Sequence, residues 1–271
     1  MDLYVNESGP DAAESIVFLH GGGGGGWMWQ PQVKELPDFH CLVPDLPEHG
    51  RSMGVKPFSI ANSAEQVAEL ICKHAHGGKA HVVGLSEGAQ VALALLGSAP
   101  EVVERAIISS ALVRPIPGAN WMSPGMIAWS VKWSVEPFKN SDWWIRINMK
   151  YSAGVPDAYY PQFKADFQDI SEEQFTHIII ENQRFRLPDG LGQVQVPTLV
   201  VAGKKEYGAM RQSVKDIEAA LPKAKGFLVA HKKHFSLAQE HNWNMNTPEL
   251  FNRMLRAWIT DQSLPTELEA V

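Results

Sequence analysis

The sequence predicts an α/β fold, a mainly parallel central sheet flanked by helices with a helical cap inserted into it. Three observations carry that expectation. Strand-like apolar runs alternate with helical patterns over most of the chain, as in a parallel sheet covered on both faces. At residues 84–88 a short apolar run meets a helical pattern at a serine flanked by glycines. Between residues 113 and 196 the alternation stops, and five of the nine tryptophans fall there: Trp121, Trp129, Trp133, Trp143 and Trp144. At 271 residues the chain is at the upper end of a single core, or is one core with an inserted subdomain. The expected division is core over 1–112, cap over 113–196 and core again over 197–271.

Taken in order, Ile16-Val17-Phe18-Leu19 predicts the first buried strand, which runs into His20 and six glycines, Gly21 to Gly26. His40-Cys41-Leu42-Val43-Pro44 predicts a second strand, leading into Asp45-Leu46-Pro47-Glu48-His49-Gly50-Arg51-Ser52. Residues 63–74 read as a helix because Ala64, Val67, Ala68, Leu70 and Ile71 share a face. A strand over 80–83, a helix over 89–96 and a strand over 106–112 follow. Within the cap, helices are expected over 126–133 and 142–151, and Ser171 with Gln174 forms a capping box opening a helix through Ile178. The sheet resumes over 197–203, followed by a helix over 210–221 and a last strand over 226–230. Thr247 as N-cap and Pro248 at the first position start the closing helix, whose apolar face is Leu250, Phe251, Met254, Leu255, Trp258 and Ile259. Cys41 and Cys72 read as small buried hydrophobes rather than as a disulfide or metal pair.

Composition narrows the function classes. With 45% hydrophobic and 20% charged residues and a net charge of −6, the chain reads as an ordinary globular protein with no basic stripe for nucleic acid. Its acidic N-terminal segment has no long apolar run, and no stretch reaches the ~18 apolar residues that a membrane span needs. A cytoplasmic protein acting on a small molecule, without a nucleic-acid partner or membrane span, is the expectation; the sequence specifies no oligomeric state.

The chemistry centres on Gly84-Leu85-Ser86-Glu87-Gly88. A sharp strand-to-helix turn needs residues without bulk two positions either side of its apex, because the backbone there is strained and the neighbouring chain passes close. Such a turn lifts the Ser86 hydroxyl clear of the sheet, where it can act as a nucleophile. The Glu87 amide, at the start of the helix, then points at any negative oxygen formed on an attacked carbonyl. Chance gives about 0.1 matches to this pattern in a chain of this length. A serine nucleophile also needs a base, a group that orients the base, and donors for the oxyanion.

Five segments carry a resemblance: His20-Gly21-Gly22-Gly23, the run from Asp45 to Ser52, the elbow at Ser86, Gly203-Lys204-Lys205-Glu206, and His241-Asn242-Trp243-Asn244. Spread over nearly the whole chain in this order, they resemble the α/β-hydrolase superfamily, in its capped esterase, lipase and haloperoxidase-like branch. The resemblance implies Ser86 as nucleophile, Glu206 as the acid that holds the histidine, and His241 as base. His231 and His234 also follow the last strand, and His234 is the alternative base because its loop would be short. The loop after His20-Gly21 is implied to give one oxyanion amide, from Gly22 or, given the length of the glycine run, Gly23. Glu87 gives the other. His20 and the segment from Asp45 to Ser52 are expected to be structural; Glu48 departs from the glycine usual at its place. Residues 232–240 are expected to form a loop insertion. The implied activity is hydrolysis of small to medium carboxylic esters through an acyl-enzyme, with no cofactor or metal. Carbon-carbon or lactone hydrolysis on the same residues is the enzymatic alternative, and ligand sensing in a retained pocket is the non-catalytic one. The cap is expected to lie over Ser86 and set chain-length preference, with Trp143 and Trp144 as the residues that would do so.

Overall fold

The structure, a computed structural model, describes residues 2–115 and 123–271, so Trp121 lies outside the described residues. The elements run β1 (Val5–Ser8), β2 (Ser15–Leu19), α1 (Gln30–Val33), β3 (His40–Pro44), α2 (Ile60–His74), β4 (Ala80–Leu85), α3 (Glu87–Ser98) and β5 (Val103–Ser109). Then come α4 (Pro124–Ser134), α5 (Asp142–Ile147), α6 (Tyr160–Asp169) and α7 (Glu172–Arg184). The chain closes through β6 (Thr198–Gly203), α8 (Gly208–Ala220), β7 (Ala224–Val229), α9 (Leu237–His241), α10 (Trp243–Asn246), α11 (Pro248–Ile259) and β8 (Leu268–Ala270).

Alternate side chains of each strand point to opposite faces, and because helices cover both faces the central strands β2, β3, β4 and β6 are buried at every position, their alternate residues joining two separate cores. Val17 and Leu19 of β2 pack with Val67 and Ile71 of α2 and Leu93 of α3. Ile16 and Phe18 of the same strand pack with Trp29 and with Phe251, Met254 and Leu255 of α11. The eight strands lie in the order β1-β3-β2-β4-β5-β6-β7-β8. The six central ones are parallel. Among the described residues, no helix is long and apolar enough to cross a membrane.

Several elements depart from expectation for local reasons. The first long helix begins at Ile60, earlier than expected, because the Ser59 side chain accepts from the Asn62 amide at 3.1 Å and caps it. β5 ends at Ser109, since Ser110 turns to φ +54. The helix expected over 142–151 stops at Ile147, and the backbone widens into a π-helical turn, Asn148–Ala153, ended by Gly154 at φ +64. Residues 232–240 are not loop throughout, because a capping box of Ser236 and Gln239 opens α9. The capping box of Ser171 and Gln174 forms at α7. Thr247 occupies the N-cap of α11, but its hydroxyl turns back to donate to the Trp243 carbonyl. Cys41 is buried, whereas Cys72 is exposed on α2 and is not the buried hydrophobe expected. The antiparallel edge strands β1 and β8 are too short to have a sequence pattern of their own.

Two backbone features position the site. A Cβ on Gly84 would lie 2.4 Å from the Gly88 carbonyl oxygen, and one on Gly88 would lie 2.2 Å from the Leu19 carbonyl oxygen. The elbow is therefore pressed directly against the end of β2. Glu48, where glycine is usual, keeps the turn by adopting φ +59, and its buried Oε2 has no hydrogen-bond partner.

Two tests follow from these positions. Gly88→Ala is expected to destabilise the protein by more than about 3 kcal/mol in urea denaturation, because the obstructing atom is backbone and cannot rotate away. Glu48→Gly should do the reverse: relief of the left-handed conformation and of the orphaned oxygen is worth about 1 kcal/mol, or roughly 2 °C in thermal midpoint.

Candidate active site

Ser86 sits between β4 and α3 at φ +55, ψ −113, a conformation available to a non-glycine residue only where the surroundings impose it. Its amide donates to the Ser109 carbonyl at 2.9 Å, and its carbonyl accepts from the Ala89 and Gln90 amides at 3.1 Å. The side chain lines a cavity of about 280 Å³ together with the glycine loop and His241.

His241 ends α9. Its Nδ1 lies 2.5 Å from Glu206 Oε1, so Nδ1–H donates to the carboxylate and Nε2 is the acceptor nitrogen. Glu206 is buried, and its Oε2 accepts from the Ser110 hydroxyl at 2.9 Å and from the Gly203 amide at 3.1 Å. Three donors thus converge on one carboxylate. The structure brings Glu206 to His241, and His241 to the cavity that Ser86 lines. His234 is exposed and does not line that cavity. His231 lies beside Trp243 and Phe235, and burial lowers its pKa to about 4.

Sequence reasoning missed Ser110 and Ser109. Both are fully buried at the end of β5; Ser109 accepts from the Trp243 indole at 3.0 Å while Ser110 holds Glu206. Two adjacent serines following the apolar run Ala106-Ile107-Ile108 were the available signal, since buried hydroxyls need partners.

The glycine loop is wired by two imidazoles. His20 Nδ1–H donates to the Gly21 carbonyl at 2.9 Å, and its Nε2 accepts from the Leu46 amide at 2.9 Å. His49 Nδ1–H donates to the Pro47 carbonyl at 2.8 Å, and its Nε2 accepts from the Gly23 amide at 3.1 Å. Both rings are bonded as neutral imidazoles. Burial lowers the pKa of His20 to about 4; burial and then the neighbouring His20 lower that of His49 to about 3. Asp45 accepts from the Gly26 amide at 2.7 Å and the Arg51 amide at 2.8 Å, bracing the same loop. The Gly23 amide is therefore occupied, while Gly22 is exposed and lines the cavity. Glu87 is the first residue of α3, which places its amide among the unpaired donors of a helix start, while its side chain is wholly buried.

The opposite wall comes from the helices between β5 and β6, with Phe163 and Phe167 of α6 and Phe175 of α7 its aromatic part. Asn148 and Ser152 of the π-helical turn add polar groups. Trp143 and Trp144, expected to set chain length, do not line the cavity: Trp143 is 58% exposed, and Trp144 packs edge-on against it. Their helix buries Ile145 instead. Trp27 joins the two walls, since its indole donates to Asp166 of α6 at 2.6 Å and its ring stacks on Tyr159. Burial pushes the Asp166 carboxyl up to about 6 against that hydrogen bond. Among the described residues, Glu7, Asp11 and His40 have metal-ligand spacing, but none of them lines this cavity.

A model of the alpha/beta hydrolase family matches residues 16–244. Over 264 residues the chain is 28% identical to an AB hydrolase superfamily protein of Gibberella zeae, covering 95% of this chain and 84% of that one. The enol-lactonase from Burkholderia xenovorans LB400 superposes with a TM-score of 0.72 at 20% identity, over 95% of this chain and 96% of that one. A thermophilic esterase from Thermogutta terrifontis superposes with a TM-score of 0.68 at 20% identity, over 96% and 93% of the two chains. At such identity the two structures speak for the fold alone. The match over residues 16–244 spans most of the sequence, and the chain belongs to the alpha/beta hydrolase family.

Proposed function

We propose that the protein is a serine hydrolase that cleaves small to medium carboxylic esters through an acyl-enzyme. The observation that carries this reading is the pairing of His241 with the buried, triply bonded Glu206 at a cavity lined by an elbow serine. Ser86 Oγ attacks the ester carbonyl carbon while its proton passes to His241 Nε2. The carbonyl π pair moves to oxygen, and the resulting oxyanion is held by the Gly22 and Glu87 amides. Collapse breaks the bond to the alkoxy oxygen, which leaves as an alcohol with the proton from His241. Water then attacks the acyl-enzyme, again giving its proton to His241, and the second collapse releases the carboxylic acid and returns the proton to Ser86. Glu206 holds the imidazole orientation and stabilises the imidazolium in both halves. The engagement of the Gly23 amide by His49 favours Gly22 as the loop donor.

The helices between β5 and β6 act in this reading as a lid, and Phe163, Phe167 and Phe175 receive the acyl chain. A lactone would follow the same steps with its alkoxide still tethered to the acyl group, so lactones belong in the substrate panel.

Ser86→Ala is expected to lower ester kcat by about 10⁴-fold or more with an unchanged circular dichroism spectrum, and to abolish stoichiometric labelling by a fluorophosphonate. Turnover or labelling retained by that variant would remove the serine mechanism. His241→Ala should approach the same loss because the groups act as a unit, while His234→Ala should change kcat by less than about twofold. The opposite ranking would move the base to His234. Phe167→Ala is expected to reduce preference for a longer acyl chain by roughly fourfold per buried methylene, at about 0.8 kcal/mol each. Trp143→Ala should leave that preference in place. Equal slowing of every ester by Phe167→Ala would take the acyl chain off this wall.

A further inference from the structure

Glu87 carries a buried acid that none of these steps uses. Its side chain folds beneath the loop that bears the other oxyanion donor: Oε2 lies 2.9 Å from the place a Cβ on Gly22 would take, with Ile178 of α7 at 3.0 Å from the same point. The residue is 0% exposed, and neither carboxyl oxygen has a hydrogen-bond partner. Oε1 is 3.4 Å from His49 Nε2. That nitrogen already accepts from the Gly23 amide while Nδ1–H donates to Pro47, so protonating His49 to form an ion pair would sacrifice a bond that holds the loop.

Among the described residues, the remaining surroundings offer no countercharge. His20, edge-on to His49, has both ring nitrogens bonded in the neutral form. Asp45, near His49, and Glu181 of α7 contribute negative charge. Burial first, and Glu181 second, hold the Glu87 carboxyl well above the usual carboxylate range. The N-terminal end of α3 favours an anion, but it does not offset burying a carboxylate with no donor on either oxygen.

We propose that Glu87 is a positioning residue that works as a neutral carboxylic acid: uncharged, it fills the space beneath Gly22 and leaves the two amides free to hold the oxyanion; ionised, it sets a negative charge beside that oxyanion and closes the site. Loss of the Glu87 proton is then the alkaline limit of the enzyme. The inference rests on the reading of this cavity as an ester-hydrolysing site. Electrostatics set the sign, since a carboxylate buried beneath Gly22 would oppose an oxyanion held at the Gly22 amide, and the transition state carries that oxyanion.

Linkage gives a readout that needs no turnover. A carboxyl whose pKa is raised on folding binds its proton more tightly in the folded protein. Its contribution to stability therefore falls as pH rises from the unfolded carboxyl range towards the folded value. Glu87→Gln and Glu87→Met, which cannot ionise, should lack that part of the slope.

The test compares kcat for p-nitrophenyl butyrate between about pH 6 and pH 10 in the wild type and both variants. Wild-type kcat is expected to fall at the alkaline end about tenfold per pH unit beyond its midpoint, and both variants to lose that fall. At pH 7 Glu87→Gln, which keeps a neutral polar group facing His49, should be the more active of the two variants, and Glu87→Met, which lacks one, should fall about tenfold or more. The same alkaline fall in either folded variant overturns the proposal. A wild type at full rate up to pH 10 overturns it without any variant. Absence of both hydrolysis and fluorophosphonate labelling in the wild type would instead remove the esterase reading. The pH dependence of urea midpoints then judges the buried proton alone, and coinciding slopes for wild type and variants overturn it.

Discussion

The carbonyl oxygen of Leu19 stands 2.2 Å from the point where any side chain at position 88 would begin, and the Gly88 carbonyl stands 2.4 Å from the corresponding point at position 84. This mutual approach of the β2 end and the β4–α3 turn sets the rest of the site. Because β2 and β4 are neighbours in the sheet, pressing the turn against Leu19 brings the chain that follows β2 beside the apex. A Cβ on Gly21 would lie 3.5 Å from Ser86 Cβ. The left-handed Ser86 backbone, a conformation that costs roughly 1–3 kcal/mol, is held by the Ser109 carbonyl on one side and the first amides of α3 on the other. Nothing bulkier than glycine at 84 or 88 would allow Ser86 and the glycine loop to share one cavity.

Around that junction the buried polar groups divide by charge. On the His241 side, Glu206 accepts on both oxygens from three donors, the environment of an ionised carboxylate. On the glycine-loop side, His20 and His49 are bonded as neutral rings, and burial holds Glu87 towards its neutral form. An acyl-transfer transition state needs that asymmetry. In the proposed reaction the positive charge developing on His241 would meet an anion, and the negative charge on the carbonyl oxygen would meet amides above a Glu87 carboxyl held towards its neutral form. The two halves are close in space, so the division depends on which groups are given donors rather than on which residue types are present.

What the sequence made legible was local. The elbow glycines are required by contacts within a few residues and one neighbouring strand, and the central strands follow from short, nearly continuous apolar runs. Glu206 and His241 were legible only through the resemblance of their segments, since the 2.5 Å approach between them joins two separate loops. Ser110 was hidden because a serine at the end of an apolar strand reads as one more strand residue, whereas its φ of +54 ends β5 and turns the hydroxyl to Glu206. The engagement of the Gly23 amide was equally hidden, because it is a hydrogen bond to a histidine on another loop. Trp143 and Trp144 misled for a different reason. Composition locates aromatic mass but not its direction, and α5 turns Ile145 inward while Trp143 faces solvent.

The helices between β5 and β6 are tied to both halves of this arrangement. On one side the Trp27 indole bonds Asp166 of α6. On the other, the Asn242 amide donates to the Ala153 carbonyl and the Asn246 amide to that of Gly154, linking the His241 segment to the π-helical turn. Phe163 and Phe167 stand on α6, the helix that carries the first of these attachments. Any outward movement of that wall must therefore loosen a contact to the glycine loop, to the histidine segment, or to both. The Asp166 carboxyl, pushed up to about 6, makes the first attachment the pH-sensitive one: as pH falls through that value the acceptor loses its charge, and the charge-assisted bond to Trp27 weakens. The wall of the cavity, the glycine loop and the His241 segment are in this way a single mechanical unit, joined at Trp27 and at the asparagines that follow His241.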